Sequence, residues 1–208
     1  MVPLLALGVV AGCSSSTSGR VAVVGDSLTA IEHPYLSPAL ERDYTTTYLV
    51  RAGGRIAGMS ALLQAYVGAD GTPGVAVTNL GTTDALAPTR STASGAVLQP
   101  LVTATASIPC VVLTTVSLRA DQAAGDDVAA QVDHRIVALE RSDPTKYKIV
   151  DWNHFLSTLP APSVPTYLRA GGILETESGA MWLAKADEAA VRACGTAHQP
   201  TVIGANPG

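Results

Sequence analysis

The sequence predicts a three-layer α/β sandwich, in which helices cover both faces of a mostly parallel, five-stranded sheet. Short apolar runs rich in β-branched residues recur along the chain, and such runs are typical of strands buried on both faces. Segments rich in Ala and Leu separate them, as expected when crossover helices join parallel strands. The predicted strands are residues 20–24, 44–50, 74–80, 110–116 and 147–152.

Helices are predicted in the segments that lie between and after these strands. The last one begins at Ser178, a residue type that caps helices, and ends before Gly195. In a parallel sheet, functional residues gather where the strands end at their carboxyl edge, so the site is expected there. The predicted helices are residues 38–41, 56–67, 91–106, 126–141 and 178–194.

Composition favours a single globular domain, which we assign to residues 20–195, followed by a tail at 196–208. The 208-residue chain is 47% hydrophobic and only 14% charged, so it can bury a sizeable core. Its net charge of −4 provides no basic surface for phosphate backbones, and nucleic acid is therefore not an expected partner. We expect a monomer.

The N-terminus has the features of an export signal. Residues 1–12 are apolar, too few to span a bilayer as a helix, and end in Val-Ala-Gly before Cys13. This run resembles a bacterial lipobox, which implies a signal peptide at 1–12, a lipidated Cys13 and a tether at 13–19. The resemblance predicts an exported, extracytoplasmic protein that is anchored to the membrane of the cell envelope through Cys13. A hydrophobic N-terminal helix that belongs to the fold is the alternative.

Two cysteines remain when Cys13 is acylated. In an oxidising compartment, Cys110 and Cys194 are candidates for a disulfide, and buried free thiols are the alternative. Cys110 begins the fourth strand, and the last helix runs back to that same amino edge, which makes the bond geometrically permissible. The Cys and His residues show no metal-ligand spacing, and no Gly-x-Gly-x-x-Gly pattern follows a strand. We therefore expect neither a metal nor a cofactor.

Residues 25–29 (Gly-Asp-Ser-Leu-Thr) directly follow the first strand. A serine at a strand-to-helix turn lies near backbone N–H groups that can stabilise an oxyanion. The segment resembles the nucleophile block of the SGNH (GDSL) hydrolases, which implies their flavodoxin-like fold and Ser27 as the nucleophile of an esterase. The alternative is a Ser27 that only caps the next helix. We expect Asp26 to hold the turn by accepting backbone N–H groups.

Two further segments resemble blocks of the same family. Gly54 follows the second strand, where the family has a glycine whose N–H is an oxyanion donor. Residues 80–84 (Leu-Gly-Thr-Thr-Asp) follow the third strand and resemble the Gly-x-Asn-Asp block, with Asp84 kept and Thr83 in place of the Asn donor. The resemblance places Thr83 and Asp84, together with Asp26, in the oxyanion and ligand-binding part of the site. Loss of one oxyanion donor typically lowers the rate by about 10²–10³-fold.

The last block departs from the family pattern of Asp-x-x-His before the final helix. Aligned on Thr176 and on the Gly-Ala pair at 179–180, the position of the general base is occupied by Leu174 and that of its orienting carboxylate by Gly171. Neither residue can accept a proton. A serine hydroxyl is a weak nucleophile without such a base, and losing base and orienter lowers the rate by about 10⁴–10⁶-fold.

Two other side chains are candidates for a substitute base. His154 follows the fifth strand at the same edge as Ser27, with a polar loop role as its alternative. Glu175 adjoins the lost position, but an ordinary carboxyl pKa of about 4.3 makes a poor base at neutral pH. The remaining histidines are expected beyond the site, in helices or in the tail: His33, His134 and His198.

Three functions fit these observations. The first is a catalytically impaired esterase-fold lipoprotein that binds an ester-bearing ligand, such as an acylated sugar or lipid, at the Ser27 pocket. The second is an active ester hydrolase or acyltransferase in which His154 or another base serves Ser27. The third is a structural lipoprotein that binds a protein partner and has a vestigial pocket. Serine-dependent labelling by a fluorophosphonate separates the second from the others.

Overall fold

Five parallel strands form the centre of the molecule in the order β2-β1-β3-β4-β5. A computed structural model describes residues 19–86, 96–117 and 126–196. The order places β1, the first strand of the chain, between two neighbours and leaves β2 and β5 at the edges. The strands are β1 (Arg20–Gly25), β2 (Thr45–Val50), β3 (Val75–Asn79), β4 (Cys110–Thr114) and β5 (Tyr147–Val150). The predicted strands and fold class are confirmed.

Helices cover both faces of this sheet and complete the three layers. One face packs against α2, α4 and α5, and the other packs against α1, α6 and α8. The helices of the described residues are α1 (Ser27–Leu40), α2 (Ile56–Asp70), α3 (Thr82–Leu86), α4 (Gln99–Ala104), α5 (Asp126–Ser142), α6 (Trp152–Thr158), α7 (Val164–Tyr167) and α8 (Glu177–Thr196). None of them is long and apolar enough to cross a membrane.

β1 shows why a central strand carries apolar residues at successive positions and not only at alternate positions. Val21 and Val23 belong to the core on the α1 and α8 face, whereas Ala22 and Val24 belong to the core on the opposite face. Successive side chains of a strand point to opposite faces, so a central strand covered by helices on both sides must be apolar throughout.

Three helix boundaries differ from the predicted ones. α1 begins at Ser27 and continues through Pro34 and Pro38, two exposed prolines that made only its end recognisable in the sequence. The cap of α8 is Thr176, whose Oγ1 accepts a hydrogen bond from the Gly179 N–H at 3.3 Å, and not Ser178. α4 is shorter than the predicted 91–106, and residues 91–95 of that helix lie outside the described residues.

The two ends of the chain are not tested by the structure. The signal peptide at 1–12, the lipidation site Cys13 and most of the tether lie outside the described residues, as does the tail from residue 197 onwards, which contains His198. Export and lipid anchoring therefore remain predictions.

The disulfide between Cys110 and Cys194 is present in the structure, with a Cα–Cα distance of 5.9 Å. Cys110 opens β4, and its side chain lies in the core that α8 covers. α8 runs antiparallel to the strands, so its last turns return to the amino edge, where Cys194 meets Cys110. The predicted bond is confirmed, and it ties the end of the last helix to the sheet.

Replacement of both cysteines, Cys110→Ala with Cys194→Ala, is expected to lower stability. The chain-entropy model gives about 4–5 kcal/mol for the 84-residue separation, as an upper value. In a domain of this size that amounts to a fall in Tm on the order of 10 °C, measured by thermal unfolding. A reducing agent should lower the Tm of the wild type and leave that of the double variant unchanged. Equal Tm values for the two proteins would contradict the prediction.

Candidate active site

Ser27 is the first residue of α1 and lies where β1 ends at the carboxyl edge of the sheet. Its side chain is partly buried, and its Oγ accepts a hydrogen bond from the backbone N–H of Gly53 at 3.2 Å. Gly53 has a φ of 67°, a left-handed conformation that favours glycine. The serine hydroxyl is therefore held beside a backbone donor of the kind that stabilises an oxyanion.

Gly54, the expected donor, has a different role. Its N–H donates to the carbonyl of Arg51 at 2.8 Å and closes the turn after β2. A Cβ at this position would lie 2.8 Å from both that carbonyl oxygen and the Sδ of Met59, so close packing requires glycine here. The donor that faces Ser27 is Gly53, one residue before the predicted one.

Asp26 holds the turn that carries Ser27. One of its carboxylate oxygens accepts the N–H of Leu28 at 3.0 Å and thereby caps α1, which confirms the predicted role. The other oxygen accepts the hydroxyl of Thr83 at 3.2 Å. Burial raises the pKa of Asp26, and the nearby Asp84 carboxylate raises it further. Because Asp26 caps the helix, Ser27 itself is not the cap.

Thr83 and Asp84 support the backbone of the site instead of facing the substrate position. The hydroxyl of Thr83 has one hydrogen, which it donates to Asp26, so it is not free to serve as the third oxyanion donor. The Oδ2 of Asp84 accepts the N–H of Ile56 at 2.9 Å, where α2 begins without a side-chain cap of its own. The binding roles expected for both residues are corrected to structural ones.

The 168–176 loop, which leads into α8, contains the degenerate block. An antiparallel bridge pairs Leu168 with Glu175, and the N–H of Arg169 donates to the carbonyl of Leu174 at 2.8 Å. Leu174 is partly buried, whereas Gly171 is exposed and has a φ of 96°. The loop is therefore well formed, but the positions aligned with the base and its orienter carry no proton acceptor.

His154 lies in α6, in a different part of the molecule from Ser27. Its backbone N–H donates to the Asp151 carboxylate at 3.0 Å. The residue lines a groove of about 800 Å³ between α6, α8 and β5. β3 and β4 separate β1 from β5, and three strand spacings amount to about 14 Å. A general base needs to approach the serine to about 3 Å. The structure does not bring the two side chains together.

The other described histidines are also engaged elsewhere. The ring of His33 in α1 packs edge-on against Tyr48 of β2, with 4.2 Å between the ring centroids. His134 is exposed on α5. Among the residues that the structure describes, no imidazole is hydrogen-bonded to Ser27, and no three His, Cys, Asp or Glu side chains are placed to hold a metal ion.

A buried group of acidic side chains lies beneath the site, and we call it the carboxyl cluster: Asp26, Glu32, Glu175 and Asp187. Each has at most 1% of its surface exposed. Glu175 faces Asp26 and Glu32, and burial raises its pKa to about 8, so the ordinary value assumed from the sequence is wrong. Burial, with Asp187 beside it, raises the pKa of Glu32 well above the usual range.

Sequence reasoning missed Glu32 and Asp187, although the pattern contained a signal. Glu32 lies on the same stripe of α1 as the buried Leu28 and Leu36, and Asp187 lies between the buried Leu183 and Val191 of α8. An acidic residue at the helical spacing of an apolar stripe has to be buried when the stripe packs against the sheet. The two carboxyl groups interact directly, and burial raises the pKa of Asp187 to about 7.

The fold is similar to solved structures of lipases and acyltransferases. A lipase/acylhydrolase from Enterococcus faecalis aligns with a TM-score of 0.65 at 16% identity, over 88% of this chain and 98% of that one. A GDSL-like lipase from Bacteroides thetaiotaomicron aligns with a TM-score of 0.64 at 16% identity, over 86% and 88%. The catalytic domain of peptidoglycan O-acetyltransferase A from Streptococcus pneumoniae aligns with a TM-score of 0.62 at 13% identity, over 85% and 93%.

No family model and no curated protein matches the sequence. At these identities the structural similarity shows the fold, and the chain has the fold of GDSL-like lipases and acylhydrolases. The resemblance seen in residues 25–29 is confirmed at that level.

Because the carboxyl cluster is buried, we expect the free energy of unfolding to decrease as the pH rises. In the folded protein Glu175 keeps its proton up to a pKa of about 8, whereas in the unfolded chain it loses the proton near its ordinary value of 4.5. Between these values only the native state holds the proton, so the free energy of unfolding decreases, by up to about 1.4 kcal/mol per pH unit for one group.

Denaturant titrations between pH 5 and pH 8 test this expectation. Glu175→Gln should reduce the slope of stability against pH, to which Glu32 and Asp187 also contribute, whereas Glu177→Gln, which changes the exposed neighbour, should leave the slope as in the wild type. A wild-type stability that increases from pH 6 to pH 8 would contradict the sign.

Proposed function

We propose that this domain binds an acyl ester at Ser27 and hydrolyses it at most very slowly. The observation that carries the proposal is that Ser27 and its Gly53 donor, 3.2 Å apart, are kept, while Leu174 and Gly171 occupy the positions of the base and its orienter. The residues that would bind an ester are retained, whereas the residues that would accept and transfer the serine proton are absent.

Proton transfer explains why binding and turnover separate. Attack by Ser27 requires that its proton leaves, and a hydroxyl without a base is a weak nucleophile at neutral pH. The Gly53 N–H donates to the Ser27 Oγ, and the carbonyl oxygen of a bound ester would replace that Oγ as its acceptor, an exchange that needs no general base. An ester bound in this way stays largely intact.

The proposed ligand is an acylated sugar or lipid of the cell envelope. Proteins of the same fold include, by their names, a lipase/acylhydrolase and a peptidoglycan O-acetyltransferase, and both names refer to acyl groups. A lipid anchor at Cys13, as the lipobox predicts, would hold the domain beside such molecules.

An active hydrolase is less well supported because neither substitute base is suitably located. His154 follows a strand three spacings away from β1. Glu175 has a pKa of about 8, which suits a base, but its carboxyl group is fully buried and faces Asp26. In a structural protein with a vestigial pocket, Ser27 would have no function. Substitutions at the Ser27 site should then leave the amount of captured ligand unchanged.

Hydrolysis of short-chain aryl esters is expected to be no faster with the wild type than with Ser27→Ala. A fluorophosphonate should likewise fail to label Ser27, since labelling requires an activated hydroxyl. Ser37→Ala, at a partly buried hydroxyl on the same helix that donates to Glu41, is the matched control. A Ser27-dependent rate at neutral pH would reject the impaired enzyme and support the active one.

Binding is tested by incubating the purified protein with an envelope extract and identifying captured acyl esters by mass spectrometry. Gly53→Val should reduce capture at least tenfold, because a β-branched residue disfavours the left-handed backbone that aims this N–H at Ser27. Equal capture by the wild type and this variant, both folded, would favour the structural alternative.

Restoring the base is expected to restore activity. Leu174→His should produce a Ser27-dependent rate about 10²-fold above the total rate of the wild type, a typical contribution of general base catalysis. Adding Gly171→Asp should raise it further by orienting the imidazole. The aspartate would meet no atom within 4 Å of its Cβ, but the φ of 96° strains it, at a cost of about 1–3 kcal/mol in stability.

Ester hydrolysis by the folded single and double variants checks this prediction, and each is compared with a version that also carries Ser27→Ala. Absence of any serine-dependent rate would mean that the binding half of the site has been lost as well.

A further inference from the structure

We propose that the carboxyl cluster is a pH-sensitive latch, which holds the 168–176 loop against the turn of Ser27 and releases it when the cluster loses protons. The latch would control access to Ser27. Its operation requires no ligand, so it can be tested independently of the proposed function.

Glu175 is the part of the latch that belongs to the loop. Its side chain is completely buried, and neither of its oxygens has a hydrogen-bond donor on another described residue. Its carboxyl group faces the carboxyl groups of Asp26 and Glu32 at the start of α1. The cation that faces it is Arg169, whose Nε is bonded to the backbone carbonyl of Glu175 at 2.8 Å. A buried carboxyl group in such surroundings is stable only while it is protonated.

Glu32 and Asp187 form the fixed part of the latch, between α1 and α8. Their carboxyl groups are neighbours in the core, and two such groups in a buried site cannot both be ionised without a large cost. The polar groups of the sheet that face them are Asn79 of β3, Thr114 of β4 and Tyr48 of β2. None of these is a cation, so nothing on the sheet side neutralises a second negative charge.

The loop contains two glycines, whose backbone can rearrange more freely than that of other residues. Gly171 and Gly172 both have positive φ values, of 96° and 66°, and a side chain at Gly171 would meet nothing within 4 Å. Backbone bonds close the loop at its two ends, from Arg169 to Leu174 at 2.8 Å and from Thr176 to Tyr167 at 2.9 Å. When Glu175 ionises, moving it into water removes from the core a charged carboxylate that has no hydrogen-bond donor on another described residue, and the adjacent Leu174 would move with it.

The pKa of Glu175, which burial and the Asp26 carboxylate raise to about 8, sets the pH range of the latch. In an open loop the hydrated carboxyl group has its ordinary pKa of 4.5. At pH values between these two pKa values, opening of the loop therefore releases a proton. The equilibrium constant for opening should rise about tenfold per pH unit from about pH 5 to pH 8. Above pH 8 it should level off.

Hydrogen exchange followed by mass spectrometry measures this opening directly. We compare protection factors, which correct for the pH dependence of intrinsic exchange, for the loop and for strands β3 and β4 at pH 6, 7 and 8. In the wild type, loop protection should fall about 100-fold across this range and stay below that of the strands. Glu175→Gln should abolish the fall, and Glu175→Met serves the same purpose if the Gln variant does not fold. Glu177→Gln, the exposed neighbour, should behave like the wild type.

Two results would overturn the latch. The first is a loop protection that does not depend on pH in the wild type, or that depends on it equally in the folded Glu175 variant. The second is a loop protection equal to that of β3 and β4 at every pH, because the loop would then open only when the whole domain unfolds.

Discussion

The turn between β1 and α1 is the constraint on which the site depends. Gly25 ends a strand that is buried on both faces, and a Cβ there would lie 1.7 Å from the Oγ1 of Thr29, so the helix can begin only over a glycine. Asp26 then caps the helix and accepts the Thr83 hydroxyl from the loop after β3. These contacts leave Ser27 little freedom, and they bring it to the N–H that Gly53 presents after β2.

In the proposed function, the site that results would bind an ester but would lack part of the reaction mechanism. Backbone donors and the helix start are properties of the fold, and they persist as long as the strand ends stay in register. The proton acceptor is a property of two side chains in the 168–176 loop, and here those positions carry Leu174 and Gly171. Under this proposal, the chain keeps the fold and the geometry at Ser27 while it lacks the proton acceptor.

Buried carboxyl groups are unusual in a core and require an explanation beyond stability. Replacing a buried ionisable pair with apolar residues is often neutral or stabilising, so Glu32 and Asp187 are poor choices for holding α1 against α8. Their place beneath Ser27, together with Glu175 in the adjoining loop, connects the protonation of the core to the edge of the site. That connection is what distinguishes this cluster from a simple packing defect.

The sequence by itself determined the features that follow from local pattern: the five strands, the disulfide between Cys110 and Cys194, and the serine turn with its Asp26 brace. Apolar runs and helix caps are read along the chain, and a parallel sheet leaves few ways to arrange them. Only the tertiary structure decided which glycine N–H faces Ser27 and which carboxylate accepts the hydrogen bond from the Thr83 hydroxyl. It also decided that His154 lies too far from Ser27 to act as its base. It also revealed that Glu175 is buried beside Asp26. Each of these depends on a distance between residues far apart in the chain, and such distances are set by how strands and helices pack.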